Sequence, residues 1–414
     1  MPNNQIEKIL NSKFISRSKI IFFGSIISQA IIFLTSFIII AFYSPEEFGL
    51  LGTLTALISI IAGTLSFRFE IAIIQAKKEE APNIFFQTTL FSCFCSTLFC
   101  LTCFFLPWEF AKKITSYFFP FLFWTWGYFL FFHSKQLPFK FDELQRAASG
   151  SIIRNGFIFI YQLLGLFNPS FEWLLSGRIA GDYVGSWVQL KTYLKSIDLK
   201  KSTRHWSNFI KNHKDFFLYM TPHHLCIELS NNIVIFFMDK SFGLASVGFF
   251  TLAQRLIMTP LEVLGSFLIN VTAQRFSEFN HDLSLLRKFY LKVTFFSLAL
   301  GIISGMLIYG TIDFFIPILG PKWLASSEIV KNLIPLFITT LFISPTMNFL
   351  RFVNKTKIQL VIEVVEVLIK ITFLATTQFT SPSELVLYYG VLSALFAIIK
   401  TLLVYILFTK PGRI

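Results

Sequence analysis

The chain has 414 residues, 54% of them hydrophobic and only 14% charged, and its 36 Lys and Arg outnumber 23 Asp and Glu for a net charge of +13. Soluble domains hold roughly 45 to 50% apolar residues, so this composition, with a mean hydropathy of +0.65, excludes an ordinary water-soluble fold and points to the bilayer. The basic excess does not indicate nucleic acid, because the lysines sit in short gaps between apolar runs, where membrane orientation accounts for them.

Crossing ~30 Å of hydrocarbon takes about 20 apolar residues in a helix. Runs of that length predict an all-α, polytopic membrane protein with about twelve transmembrane helices. The expected spans are 20–42, 48–67, 84–106, 114–132, 151–167, 171–190, 216–237, 247–274, 289–316, 325–350, 358–377 and 384–408. The first run is too long for a signal-peptide core and lacks a small-residue cleavage site, so it is expected to stay as a span. Ser44-Pro45-Glu46-Glu47 offers a hydroxyl cap, a proline at the first helical position and a glutamate at the third, a capping box ahead of the second span. Ser381-Pro382-Ser383-Glu384 repeats the device ahead of the last. Cys93, Cys95, Cys100 and Cys103 fall in one apolar run without a nearby histidine, which reads as small packing residues and not as zinc ligands.

Alternate segments beginning with the N-terminus carry nearly all the Lys and Arg found outside the spans, which places both termini in the cytoplasm. The basic stretch 191–215 divides six spans from six, giving an N-terminal half 1–190, a cytoplasmic linker 191–215 and a C-terminal half 216–414. Phe48-Gly49-Leu50-Leu51 and Val247-Gly248-Phe249-Phe250 open equivalent spans of the two halves and hint at duplication.

Four stretches carry a family resemblance: Tyr43 to Gly49 followed by Arg68-Phe69-Glu70-Ile71-Ala72-Ile73; Val247 to Leu256, including Arg255, with Pro260 behind it; Leu319-Gly320-Pro321-Lys322-Trp323; and Pro335 with Ser344-Pro345. In order and spacing they are similar to the Wzx-type polysaccharide-biosynthesis flippases of the multidrug/oligosaccharidyl-lipid/polysaccharide exporter superfamily. The resemblance implies two six-helix bundles around a central cavity that opens alternately to each face. It further implies an inner-membrane transporter whose substrate is an oligosaccharide on an isoprenoid diphosphate, a precursor of O-antigen, capsule or exopolysaccharide. Membrane lipids and other polysaccharide-assembly proteins are the implied partners. The chain departs from the usual pattern in its short loops and its 54 phenylalanines.

A charge at mid-bilayer costs at least ~2.5 to 3.5 kcal/mol, so each needs a partner or a wet cavity. Arg154, Arg178, Arg255, Lys331, Lys370 and Lys400 all fall within expected spans. With the resemblance in hand, Arg255 is the first candidate to fork onto diphosphate oxygens, the alternative being a structural pair with Glu262 two turns on. Arg68 and Glu70 stand at the cytoplasmic mouth between two spans, as substrate contacts or as an interfacial anchor. Glu228, with Asn231 and Asn232 one turn on, offers an ion-coupling carboxylate beside two amides for sugar hydroxyls, or else an interhelical network. Glu366 with Lys370 and Arg178 with Asp182 are spaced i to i+4 and read as structural pairs, Glu363 lying a turn before the first. Adjacent His223 and His224 point to different sides of a helix and do not share a metal. No phosphate-cradling loop or nucleophile elbow occurs, so an enzyme, a cofactor and a metal are not expected. Two other readings stay open: a drug or small-molecule/ion antiporter of similar fold, and a membrane polysaccharide polymerase or ligase, which the short external loops disfavour.

Overall fold

The computed structural model describes residues 23–24, 26–35, 37–198, 214, 216–278, 283–352 and 356–409. The described residues form helices and connecting turns, with no strand. In chain order the helices are α1 (Ile26–Ile40), α2 (Pro45–Leu65), α3 (Glu70–Gln75), α4 (Ala81–Thr102), α5 (Glu109–Ser116), α6 (Phe118–Ser134), α7 (Gln136–Lys140), α8 (Leu144–Leu164), α9 (Phe171–Leu190), α10 (Thr221–Phe242), α11 (Leu244–Glu278), α12 (Leu283–Ile318), α13 (Ala325–Phe352), α14 (Thr356–Thr376) and α15 (Pro382–Thr409).

Seven of these are long and apolar enough to cross a membrane, and the protein is a multi-pass membrane protein. The expectation of twelve spans counts in addition helices that are shorter or more polar. Helix α6 has 17 residues, α1 is shorter still among its described residues, and α9, α10 and α14 carry Asp182, Glu228 and Glu366 along their length. Helix α12 shows the opposite character, with Ile303, Met306, Leu307 and Phe314 exposed along one stripe. Such a stripe suits hydrocarbon and not water.

Local chemistry starts the helices. At α2 the Glu47 amide donates to Ser44 Oγ at 3.2 Å while the Ser44 amide donates to Glu47 Oε2 at 2.9 Å, a complete capping box. At α15 the Glu384 amide donates to Ser381 Oγ at 3.2 Å, but the Glu384 carboxylate accepts from the Thr380 amide at 2.6 Å, one residue earlier than the motif predicts.

The contacts group the chain into two compact units, Met1–Thr35 with Leu57–His224 and Ser36–Ala56 with Leu225–Ile414. The boundaries therefore run through α1, α2 and α10. Of the basic stretch 191–215, residues 199–213 and 215 lie outside the described residues.

In the first unit α8 lies along α9, and glycines set their distance. A Cβ on Gly181 would stand 2.8 Å from the Arg154 carbonyl oxygen, and one on Gly185 would stand 2.8 Å from Arg154 Cβ. Small residues at this spacing let two membrane helices approach backbone to backbone, which brings the middle of α8 against Asp182 of α9.

In the second unit the two similar segments found in the sequence meet each other. A Cβ on Gly49 would fall 1.9 Å from the Leu244 carbonyl oxygen, and one on Gly248 would fall 1.9 Å from the Pro45 carbonyl oxygen. Gly49 is offset from Gly248 by the same number of residues as Pro45 from Leu244, so the contact is reciprocal, as a local two-fold relation requires. Trp323 is fully buried beside this crossing. Its indole N–H donates to the Ile40 carbonyl at 2.8 Å, and its ring meets Phe48 and Phe249 edge to face.

Candidate functional site

The second unit holds a buried network of four charges. Helix α14 supplies Glu363, Glu366 and Lys370, which share one face by their three- and four-residue spacing. Glu366 Oε1 lies 2.7 Å from Lys370 Nζ. Lys400 reaches in from α15 and bonds both carboxylates, Glu363 at 2.7 Å and Glu366 at 2.6 Å. From α10, Ser230 accepts from Lys370 Nζ at 2.7 Å and donates to Glu366 Oε1 at 3.2 Å. Tyr389 places its ring 4.8 Å from Lys370 Nζ and donates its hydroxyl to the Ser230 carbonyl at 2.5 Å. Two carboxylates face two ammonium groups, so the network is neutral. It forms one wall of a cavity of about 220 Å³ whose other polar lining includes Asn231, Thr339, Thr340 and Ser393.

The first unit holds a second cluster. Asp182 is fully buried and accepts from Arg154 Nε at 2.5 Å and from the Trp124 indole N–H at 3.1 Å. The Arg154 guanidinium stacks over Phe131 at 4.7 Å, and Nη1 approaches Asn155 Oδ1 at 3.5 Å. Asn155 in turn donates to Ser28 Oγ at 2.6 Å, tying α8 to α1. Arg154 and Asn155 line a cavity of about 200 Å³ together with Ser28, Gln29, Lys135 and Ser151.

The residues singled out in the sequence are placed as follows. Asp182 gives its carboxylate to Arg154, a residue on another helix. This corrects the expected i to i+4 pairing with Arg178, which feels the Asp182 charge but keeps a buried Nε without a hydrogen-bond partner. Arg255 lies 4.6 Å from the Phe48 ring, a cation–π contact beside the Gly49–Gly248 crossing; the Glu262 side chain lies outside what the structure describes. Arg68 and Glu70 sit in a tight turn in which Phe67 and Arg68 take positive φ of 48° and 57°, a region that bulky residues rarely enter. There Arg68 Nη1 lies 3.1 Å from Glu70 Oε1. Burial lifts the Glu70 carboxyl above its usual range, and the Arg68 charge opposes that rise. Asn232 donates to the Glu228 carbonyl at 2.9 Å and to its carboxylate at 3.3 Å, whereas Asn231 faces the cavity of the second unit.

Lys400, Arg154 and Trp124 were not among the candidate site residues. A usable signal existed: neither Lys400 nor Arg154 has an acidic residue within a turn on its own helix, so each must find its partner on another.

A family profile described as "Polysaccharide biosynthesis protein" matches residues 38–328, well over half of the chain. The chain belongs to that family. Among curated proteins, none matches the sequence of this polysaccharide biosynthesis protein. Solved structures share its fold. A lipid II flippase, MurJ, in an inward closed conformation matches with a TM-score of 0.72, with 16% identity over 94% of this chain and 87% of the other. An outward-facing multidrug resistance MATE family transporter of the MOP superfamily gives 0.62, with 14% identity over 95% of each chain. A MOP superfamily transporter from Pyrococcus furiosus, described by the reverse polarity of its binding pocket, gives 0.61, again with 14% identity over 95% of each chain. At these identities the likeness is one of fold. In this polysaccharide biosynthesis protein the two polar clusters are therefore read from their own chemistry.

Proposed function

We propose that this protein flips an isoprenoid-diphosphate-linked oligosaccharide from the cytoplasmic to the outer leaflet of the inner membrane. The observation that carries the reading is membership of the polysaccharide biosynthesis family by a multi-pass chain with a transporter fold. The chemistry is consistent with it. An anionic headgroup followed by a glycan needs guanidinium donors and then hydroxyl and amide partners; Arg154 lines one cavity, and Ser230, Asn231, Thr339, Thr340 and Ser393 line another. In this reading Arg255 and Arg68 meet the diphosphate, Glu70, Asn231 and Asn232 contact the substrate, and Glu228 takes the coupling ion. Both termini face the cytoplasm, so an impermeant thiol reagent on intact cells labels a single cysteine at Ser381 and spares one at Ser202.

The test is export. Removing the protein from a glycan-producing cell is expected to leave lipid-linked oligosaccharide on the cytoplasmic side. Arg255→Lys lowers export and Arg255→Ala lowers it further at equal amounts of folded protein. Normal export without the chain removes the reading. A second reading, a drug transporter, is favoured by the fold shared with the multidrug resistance transporter; it predicts unchanged glycan export and altered drug susceptibility in the same cells.

A further inference from the structure

The first unit's cluster holds more positive charge than its own carboxylate can match. Arg178 and Arg154 both lie within electrostatic reach of Asp182, and they also repel each other. Arg154 spends Nε on Asp182 and extends Nη1 to Asn155 at 3.5 Å; Arg178 keeps a buried Nε without a partner. The carboxylate at the start of α8, Glu143, is already taken by Arg146 and by the Tyr193 hydroxyl. A guanidinium N–H left without a partner among membrane helices is costly, and two arginines beside one carboxylate favour a bound anion nearby.

The cavity beside Arg154 fits such an anion. It is about 200 Å³ in volume, and its polar lining comes from three helices: Ser28 and Gln29 of α1, Ser151, Arg154 and Asn155 of α8, and Lys135 at the end of α6. Arg154 is held from behind by Asp182 and from the side by Phe131. The fork is thereby fixed in orientation before any ligand arrives, which lowers the cost of binding. Serine hydroxyls and amides around a fixed guanidinium suit phosphate oxygens.

We propose that this cavity of the first unit seats the diphosphate of a polyprenyl-linked glycan, with Arg154 and Lys135 as its cationic ligands and Arg178, outside the lining but within electrostatic reach of Arg154 and Asp182, as a positioning charge. The proposal rests on the flippase reading and adds to it the place where the headgroup is held.

The full-length protein in neutral-lipid nanodiscs provides the test, with labelled polyprenyl diphosphate as probe and polyprenol and inorganic pyrophosphate as competitors. The diphosphate is expected to bind at least about tenfold more tightly than polyprenol, and pyrophosphate to compete only weakly. Arg154→Gln is expected to lose about tenfold or more, as befits a charged hydrogen-bonding ligand, and Arg154→Lys less. In these variants Asp182 keeps the Trp124 indole N–H as a donor, with the Arg178 charge still within electrostatic reach. Lys135→Met leaves the Arg154–Asp182 pair intact and should also weaken binding, so the test survives if an Arg154 variant fails to fold. A folded Arg154→Gln and a folded Lys135→Met that both bind the diphosphate within twofold of the unaltered protein overturn the assignment. So does pyrophosphate that competes as well as the lipid, which would make this a site for a free anion. Glycan export separates the two ideas: a chain needed for export whose variants bind normally loses only the pocket, whereas a chain dispensable for export loses the flippase reading itself.

Discussion

The two units place charge among their helices in opposite ways. In the second, Glu363 and Glu366 meet Lys370 and Lys400, and the network closes on itself with Ser230 and Tyr389 completing the bonds. In the first, Asp182 stands against Arg154 with Arg178 close by, and part of the donor capacity is left over. A balanced network can be kept for structure alone. An unbalanced one is a standing cost that a bound anion would relieve, so imbalance is the better indicator of a binding site.

The largest expected effect comes from unbalancing the second unit. Glu366→Gln leaves two ammonium groups facing one carboxylate, and loss of one partner from a buried ion pair costs about 3 to 5 kcal/mol. Thermal unfolding and the yield of monodisperse protein in detergent measure it; an unchanged melting temperature would show that the network is not a stabilising unit. Next in size is ligand stabilisation of the first unit. Polyprenyl diphosphate at a hundred times its dissociation constant should stabilise the unaltered protein by about 2.7 kcal/mol, and Arg154→Gln much less, read as a shift in melting temperature.

Removing a matched pair should do little by comparison. Glu366→Gln combined with Lys370→Met leaves Glu363 opposite Lys400, and the double variant is expected within about 1 kcal/mol of the unaltered protein, since replacing a buried pair is often near neutral. If the two changes simply add, the charges are not coupled. The smallest effect is expected for Arg178→Met, which relieves repulsion in the first unit. Its unfolding stability should stay within about 0.5 kcal/mol or rise, while diphosphate binding weakens; a large loss of stability would mean that Arg178 is a structural charge after all.

Much of the helix plan is legible in the linear chain, because a bilayer restricts what a chain can do. Apolar runs of about 20 residues marked helices, the Ser44 and Ser381 boxes marked helix starts, and the similar Phe48-Gly49 and Val247-Gly248 segments marked two stretches that lie against each other in the second unit. The spacing also placed Glu363, Glu366 and Lys370 on one face of a helix, since that relation lies within a single turn.

Partners on other helices were decided by tertiary structure alone. Asp182 takes an arginine 28 residues away, and Glu366 takes a lysine 34 residues away. Nothing in a linear spacing specifies which helix faces which. That choice depends on close backbone contacts such as those at Gly181 and Gly185, which let α8 bring Arg154 to Asp182. The helix periodicity fixes what a residue can reach within its own turn, and packing fixes the rest.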